Sequence, residues 1–310
     1  MTYRLPLLLA LCAATLLGGC VDTTVPMPDK YASPAPAFVT KYNATAQRVE
    51  RLWAYAKLRI VFREKPSDLG FPWGSASKDA DPNARLIVVK RPKSKTAPAD
   101  VVLIIKEASQ EIGRVGLSVT DKVAYSWLNA GSRRSCIYTE LSQIHRLEIN
   151  PIELLSAAGI LPIAAPSSRL PAATKRLSED RRAAIISAVD YDAQAGYPVL
   201  RREYYFDRLM TKDRLTGETT PLPVRVSKIK HFDLLGRCIA TTTIDEYAKM
   251  ELDESGDEVE LPCHFRIEFH RSGTTLEIRL NGMTDEDRVD DEAFLFWKRL
   301  PSGLKPTLLR

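Results

Sequence analysis

From residue 261 to 270 the side chains alternate without a break. Cys263, Phe265, Ile267 and Phe269 fall on one side, His264, Arg266, Glu268 and His270 on the other. A two-residue period sends successive side chains to opposite faces of a strand, so this segment has one apolar and one wet face. The pattern recurs. Leu58 and Ile60 alternate with Lys57 and Arg59, and Leu200, Tyr204 and Phe206 oppose Arg201, Glu203 and Asp207. Further strand-like runs lie at 85–90 and 101–106, apolar on both faces, and at 114–120, 122–128, 135–141, 183–190, 225–232, 238–247 and 275–280. Turn chemistry separates them: Gly113, Asp121-Lys122, Asn129-Ala130-Gly131, Gly196, Gly236 and Ser272-Gly273. Short strands joined by tight turns pair antiparallel, because parallel neighbours need crossover helices. The expected fold class is therefore mainly β (α+β), built on an antiparallel sheet.

Helical periods interrupt this pattern in two places. Tyr42, Ala46, Val49, Trp53 and Ala56 recur every three to four residues and predict an amphipathic helix over 40–56. Asn150-Pro151 supplies an N-cap and a proline at the first helical position, and Gly159 closes the short helix that follows. Residues 161–180, with Pro162, Pro166 and Pro171, read as a long apolar loop suited to act as a lid.

The first twenty residues carry one cation, Arg4, then an apolar run too short to span a bilayer, which needs about 20 residues. The ending Leu17-Gly18-Gly19-Cys20 resembles the lipobox of bacterial lipoproteins. That resemblance implies cleavage after residue 19, lipidation of Cys20, and a bacterial cell-envelope location. Val21, rather than an aspartate, after the cysteine implies the outer membrane, facing the periplasm. Residues 20–38, with Pro26, Pro28, Pro34 and Pro36, read as an extended tether, and 39–310 as the domain it carries. The net charge of +5 is spread along the chain without a block of like charges, which excludes a nucleic-acid-binding tail.

The amphipathic helix running into a strand through Tyr42, Val49, Leu52-Trp53 and Leu58-Arg59-Ile60 resembles the LolA/LolB-like group of periplasmic lipoprotein carriers and their anchored relatives. So do the strand pair Phe265-Arg266-Ile267-Glu268-Phe269 and Leu276-Glu277-Ile278-Arg279-Leu280, and the ending Asp291-Glu292-Ala293-Phe294 with Pro301-Ser302-Gly303. The resemblance implies a half-open β-barrel whose concave face is closed by helical and loop lid segments, leaving a cavity for acyl chains. The chain departs from the carriers in its insertions near 64–84 and 91–99 and in its own anchor, which favours an acceptor or a lipid-binding lipoprotein over a free shuttle.

Trp53, Leu58, Ile60, Leu103, Ile105, Trp127, Tyr204, Phe206, Phe265, Ile267 and Phe269 are the candidate walls of that cavity. The same residues fill an ordinary closed core equally well, since periodicity does not separate a hollow barrel from a filled one. Two functions follow. One is non-enzymatic binding of lipid or acyl chains; the other is a structural or assembly lipoprotein that holds a protein partner and has no cavity. His264 and His270, six strand residues or roughly 20 Å apart, do not share a metal. Cys136, Cys238 and Cys263 read as free thiols, because a turn near Ser255 sets Cys263 opposite Tyr247. The acidic cluster Asp285, Asp287, Asp290 and Asp291 lacks the glycine and ligand spacing of a calcium loop. No nucleophile elbow, zinc-protease motif or phosphate loop occurs, so no catalytic residue, cofactor or metal is expected.

Overall fold

The computed structural model describes residues 23–28, 33–61, 83–90, 99–107, 110–130, 133–147, 149–164, 172–192, 197–213, 216–233, 235–252, 256–286 and 291–309. The described residues begin with β1 (Thr23–Pro26) and α1 (Ala35–Arg48), then run through β2 (Arg51–Val61), β3 (Asn83–Lys90), β4 (Ala99–Glu107), β5 (Gln110–Ser118), β6 (Val123–Ala130) and β7 (Arg133–Glu140). After α2 (Pro151–Ala157) come β8 (Thr174–Leu177), β9 (Ala183–Asp192), β10 (Tyr197–Asp207), β11 (Leu209–Lys212), β12 (Thr219–Pro221) and β13 (Val226–Phe232). β14 (Cys238–Glu251), β15 (Glu258–Phe269), β16 (Thr274–Thr284), α3 (Phe296–Arg299) and β17 (Thr307–Leu308) complete the series.

Fourteen strands form one sheet in the order β17-β7-β6-β5-β4-β3-β2-β16-β15-β14-β13-β10-β9-β8, and β1, β11 and β12 form a small second sheet. Two antiparallel runs of strands, with β17 added parallel to β7 at one edge, make the large sheet. They are welded where β2 pairs with β16, with Leu58 opposite Ile278 and Ile60 opposite Leu276. The mainly β, antiparallel expectation is the fold observed. The end strands β17 and β8 are not neighbours, so the sheet stays open.

The sheet is strongly curved. α2 has seven residues and is roughly 10 Å long. Yet it touches β4 and β5 as well as β14 and β15. In sheet order β5 and β14 lie six places apart. That is roughly 29 Å across a flat sheet. One short helix meets both only because the sheet bends around it.

Alternation decides what the concave face carries. On β2, Leu52, Ala54, Ala56, Leu58 and Ile60 turn inward and are buried, while Tyr55, Lys57 and Arg59 are exposed. Leu103, Ile105, Phe265, Ile267, Phe269, Leu276 and Ile278 join the same core. α1, α2 and the residues that follow each of them lie across it and fill it with Phe38, Val49, Leu154, Leu155, Ile160 and Ile163. On the convex side, the C-terminal segment covers the first meander. Phe294 packs on Trp53, Ile87, Val102 and Ile104, and Phe296 with Leu304 packs on Tyr125, Trp127 and Cys136. This second cover is why β3 and β4 are apolar on both faces.

Three expectations are corrected. The helix predicted over 40–56 spans Ala35–Arg48, and Trp53 and Ala56 belong to β2. Their spacing of three suits a helix, but pairing of β2 with both β3 and β16 selects the strand and sends the two side chains to opposite faces. The stretch 20–38 is not a free tether throughout. Thr23–Pro26 pairs with Leu209–Lys212, and Pro34 and Pro36 open α1, where a missing N–H is tolerated. Within the predicted loop 161–180, Thr174–Leu177 is the edge strand β8, and 165–171 lies outside the described residues. The signal-like segment, Cys20 and most of the insertion at 64–84 also lie outside them.

Candidate functional site

The concave face under α1 and α2 is the candidate site. Asn150 caps α2, its Oδ1 accepting from the Ile152 N–H at 2.9 Å, and Gly159 closes the helix at φ +71°. A side chain at 159 is doubly excluded, since a Cβ there meets the Pro262 ring at 2.8 Å. That close approach seats the end of α2 on β15. The two helical segments are joined to each other by Asn43, whose amide donates to the Ile163 carbonyl and accepts from its N–H, both at 2.8 Å.

Aromatic side chains make the contact between α1 and β10. Phe38 packs on Phe206 with ring centroids 5.2 Å apart, and Tyr42 lies 5.5 Å from Tyr204 and 6.2 Å, edge-on, from Phe206. Beside them a solvent-open cleft of about 140 Å³ is lined by Phe38, Tyr42, Ser156, Phe206, Ile244 and Tyr247, with Lys41, Arg225 and Glu260 at its rim. Arg225 and Glu260 form an ion pair, and the Tyr247 hydroxyl donates to the Val226 carbonyl at 2.7 Å.

Deeper in, the apolar interior holds a polar group of side chains. Arg202 is 3% exposed, His231 and Ser156 are fully buried, Glu153 is 2% exposed and Thr242 is fully buried. Arg202 Nε lies 3.4 Å from His231 Nδ1. Burial pushes the Glu153 carboxyl up to about 8, against a smaller downward pull from Arg202. Burial, with Arg202 acting in the same direction, holds His231 well below its ordinary value and so neutral. Burial also raises Tyr42 and Tyr204. Both carboxyl and imidazole are thus uncharged near neutral pH.

Nine of the eleven predicted wall residues come together here: Leu58, Ile60, Leu103, Ile105, Tyr204, Phe206, Phe265, Ile267 and Phe269 all belong to the core beneath the helices. Trp53 and Trp127 do not. They sit on the opposite face under Phe294 and Phe296, because each is one residue out of phase with its inward-facing neighbours. Sequence reasoning missed Arg202, His231, Glu153 and Thr242. The signal was present for Arg202, which falls in phase with Tyr204 and Phe206 on the apolar side of β10.

Cys136, Cys238 and Cys263 are free thiols, and Tyr247 pairs with Pro262, one residue from the expected register. His264 lies on the outer face, 3.0 Å from Glu277, and His270 bonds Thr241 at 2.8 Å. Among the described residues no group of three His, Cys, Asp or Glu side chains is placed to hold a metal ion. No described helix is long and apolar enough to cross a membrane.

No family model matches the chain, and no curated protein matches it. Among solved structures it is similar to a domain from Vibrio parahaemolyticus described as outer membrane lipoprotein-sorting, at 10% identity over 84% of this chain and 95% of that one, with a TM-score of 0.48. It is also similar to a LolA superfamily protein from Nitrosomonas europaea, at 12% identity over 86% and 100% of the two chains, TM-score 0.44. A DUF1329 family protein from Desulfovibrio piger is 9% identical over 86% and 99%, TM-score 0.42. Likeness at this level assigns the chain neither a family nor a function.

Proposed function

We propose that this chain is a non-enzymatic binder of lipid or acyl chains, anchored in the bacterial cell envelope through Cys20 at the outer membrane, with residues 39–310 as the binding domain. One observation carries the reading. The apolar concave face is covered by two helices, and a cleft already opens to solvent along their seam with the sheet. Helices have no backbone ladder to the strands, so they can part from the sheet without breaking it. An acyl chain that replaced Phe38, Leu154 and Leu155 would meet the same apolar surface. Burying it is worth about 25 cal/mol per Å².

A second reading has an observation of its own. The cleft holds about 140 Å³. Pockets for small ligands usually run from about 300 Å³ upward. A domain that keeps its helices shut is a structural or assembly lipoprotein holding a protein partner instead. Native mass spectrometry of the chain purified without detergent separates the two. Co-purifying lipid, with saturable uptake of a fluorescent fatty acid, is expected. A bare protein mass with no probe uptake sinks the lipid reading and leaves the second.

A further inference from the structure

Five buried side-chain atoms have no hydrogen-bond partner among the described residues and gather under α1 and α2: Tyr42 Oη, Glu153 Oε2, Ser156 Oγ, His231 Nε2 and Thr242 Oγ1. The strand register brings them together. Arg202 stands opposite His231, and Thr242 stands opposite Ile229, two residues along β13 from His231. α2 lowers Glu153 into the field of Arg202 from above, and Tyr42 feels the same charge from α1. Each buried polar atom without a partner costs about 1–3 kcal/mol. A half-satisfied network inside an apolar core is worse than none. Such a cluster calls for a guest.

The chemistry of the unused atoms says which guest. His231 Nδ1 faces the Arg202 N–H and accepts from it, so the neutral ring carries its proton on Nε2, which becomes a donor. The hydroxyls of Tyr42, Ser156 and Thr242 donate as well. Four unused donors beside one buried guanidinium complement an oxyanion. Glu153, with one oxygen unpaired, lies in the field of the same guanidinium. Tyr42 and Ser156 also line the open cleft, beside Phe206 and Ile244.

We propose that this cluster is a head-group subsite for a single-chain amphiphile bearing an oxyanion, a carboxylate or a phosphate, which displaces the Glu153 carboxyl while its tail follows the apolar concave face. The proposal rests on the lipid-binding reading. Its test compares three ligands with one oleoyl chain: oleate, oleoyl lysophosphatidate and the neutral methyl oleate. Each is titrated against the neutral probe N-phenyl-1-naphthylamine bound to the purified full chain. At least one anion should displace the probe at a concentration about tenfold or more below the ester. The stronger of the two anions identifies the head group.

Arg202→Met, with folding checked by thermal melting, should bring both anions to the ester's level without moving the ester. Thr242→Val keeps the guanidinium and the side-chain shape, and should narrow the gap. Equal displacement by anions and ester in the unaltered chain overturns the subsite and leaves lipid binding standing, as does a gap unchanged in Thr242→Val and in a folded Arg202→Met. Failure of all three ligands, the ester included, overturns both readings together.

Discussion

Two covers close the two faces of this sheet, and they are held in different ways. The C-terminal cover is tied down by directed bonds. Arg114, itself paired with Glu111, donates to the Ala293 carbonyl at 2.7 Å, and Asp121 accepts from the Phe296 N–H at 2.6 Å. Beyond it, Leu309 N–H reaches the Tyr138 carbonyl at 2.9 Å, so the chain end adds a strand to the sheet edge. The helical cover has Lys90 on the Ala46 carbonyl, an exposed Arg48–Asp257 pair, and the Asn43 bonds that join the two helical segments rather than binding them to a strand. Lys175 of β8 adds a bond to the Ser33 carbonyl just before α1 and lies over the Phe38 ring, and beneath the helices is mainly apolar contact around a cluster of unpaired polar atoms. The first arrangement fixes a cover; the second leaves one that a ligand can displace.

The largest effect should come from the fixed side. Phe296 is fully buried, with its ring 4.8 Å from Tyr125 and 5.5 Å from Tyr138. Phe296→Ala should lose about 3–5 kcal/mol in denaturant unfolding. Phe38→Ala should lose less, about 2 kcal/mol, because its void merges with the open cleft instead of staying sealed. Equal losses would break the contrast between the covers.

The next test uses acid–base linkage. Burial raises the Glu153 carboxyl from its ordinary 4.5 to about 8. Between those values the folded chain holds a proton that the unfolded chain has released. Stability from this group is therefore complete below pH 4.5 and is lost as pH rises to about 8. Glu153→Gln should flatten that slope, read as the difference between the two chains' unfolding free energies across pH. His231 works in the opposite direction. Held below its ordinary value, it stays neutral while the unfolded imidazole protonates, so stability falls as pH drops below about 6.5. His231→Gln should remove that acid-side loss. A pH profile unchanged by either substitution would show the cluster open to water.

The smallest effect belongs to Asn43. Asn43→Ala removes two hydrogen bonds and should cost about 1–2 kcal/mol globally. Amide exchange should quicken in α1 and around residue 163, while β15 stays protected. Uniform quickening would mean that the helices do not open as a unit.

Much of this could be read in the sequence. The strands β5 to β7, β9, β10 and β13 to β16 follow from alternation and turn residues, because a period of two is a local property of a paired backbone, and β3 and β4 follow from short apolar runs between turns. The α2 cap at Asn150 and its end at Gly159 were legible for the same reason. The short strands β1, β8, β11 and β12 were not. They are three or four residues long and their existence depends on a partner distant in the chain, as Thr23–Pro26 depends on Leu209–Lys212. Trp53 and Trp127 fall on the face opposite to the one expected: Trp53 reads as part of the helix, so its strand phase goes unread, and β6 carries apolar side chains on both sides and gives no phase.

The sequence by itself determined the class of the fold, most of the strands that build it and which residues face inward on β15. Those are consequences of backbone period and of where apolar side chains can hide from water. Only the tertiary structure decided that the sheet curves around α2, that the interior is filled by helices, and that Arg202, His231, Thr242 and Glu153 meet there. Curvature and filling depend on contacts among segments far apart in sequence, and a local pattern does not encode which apolar face another will cover. A buried charge likewise reads in sequence as one more arginine on a strand until the fold removes its water.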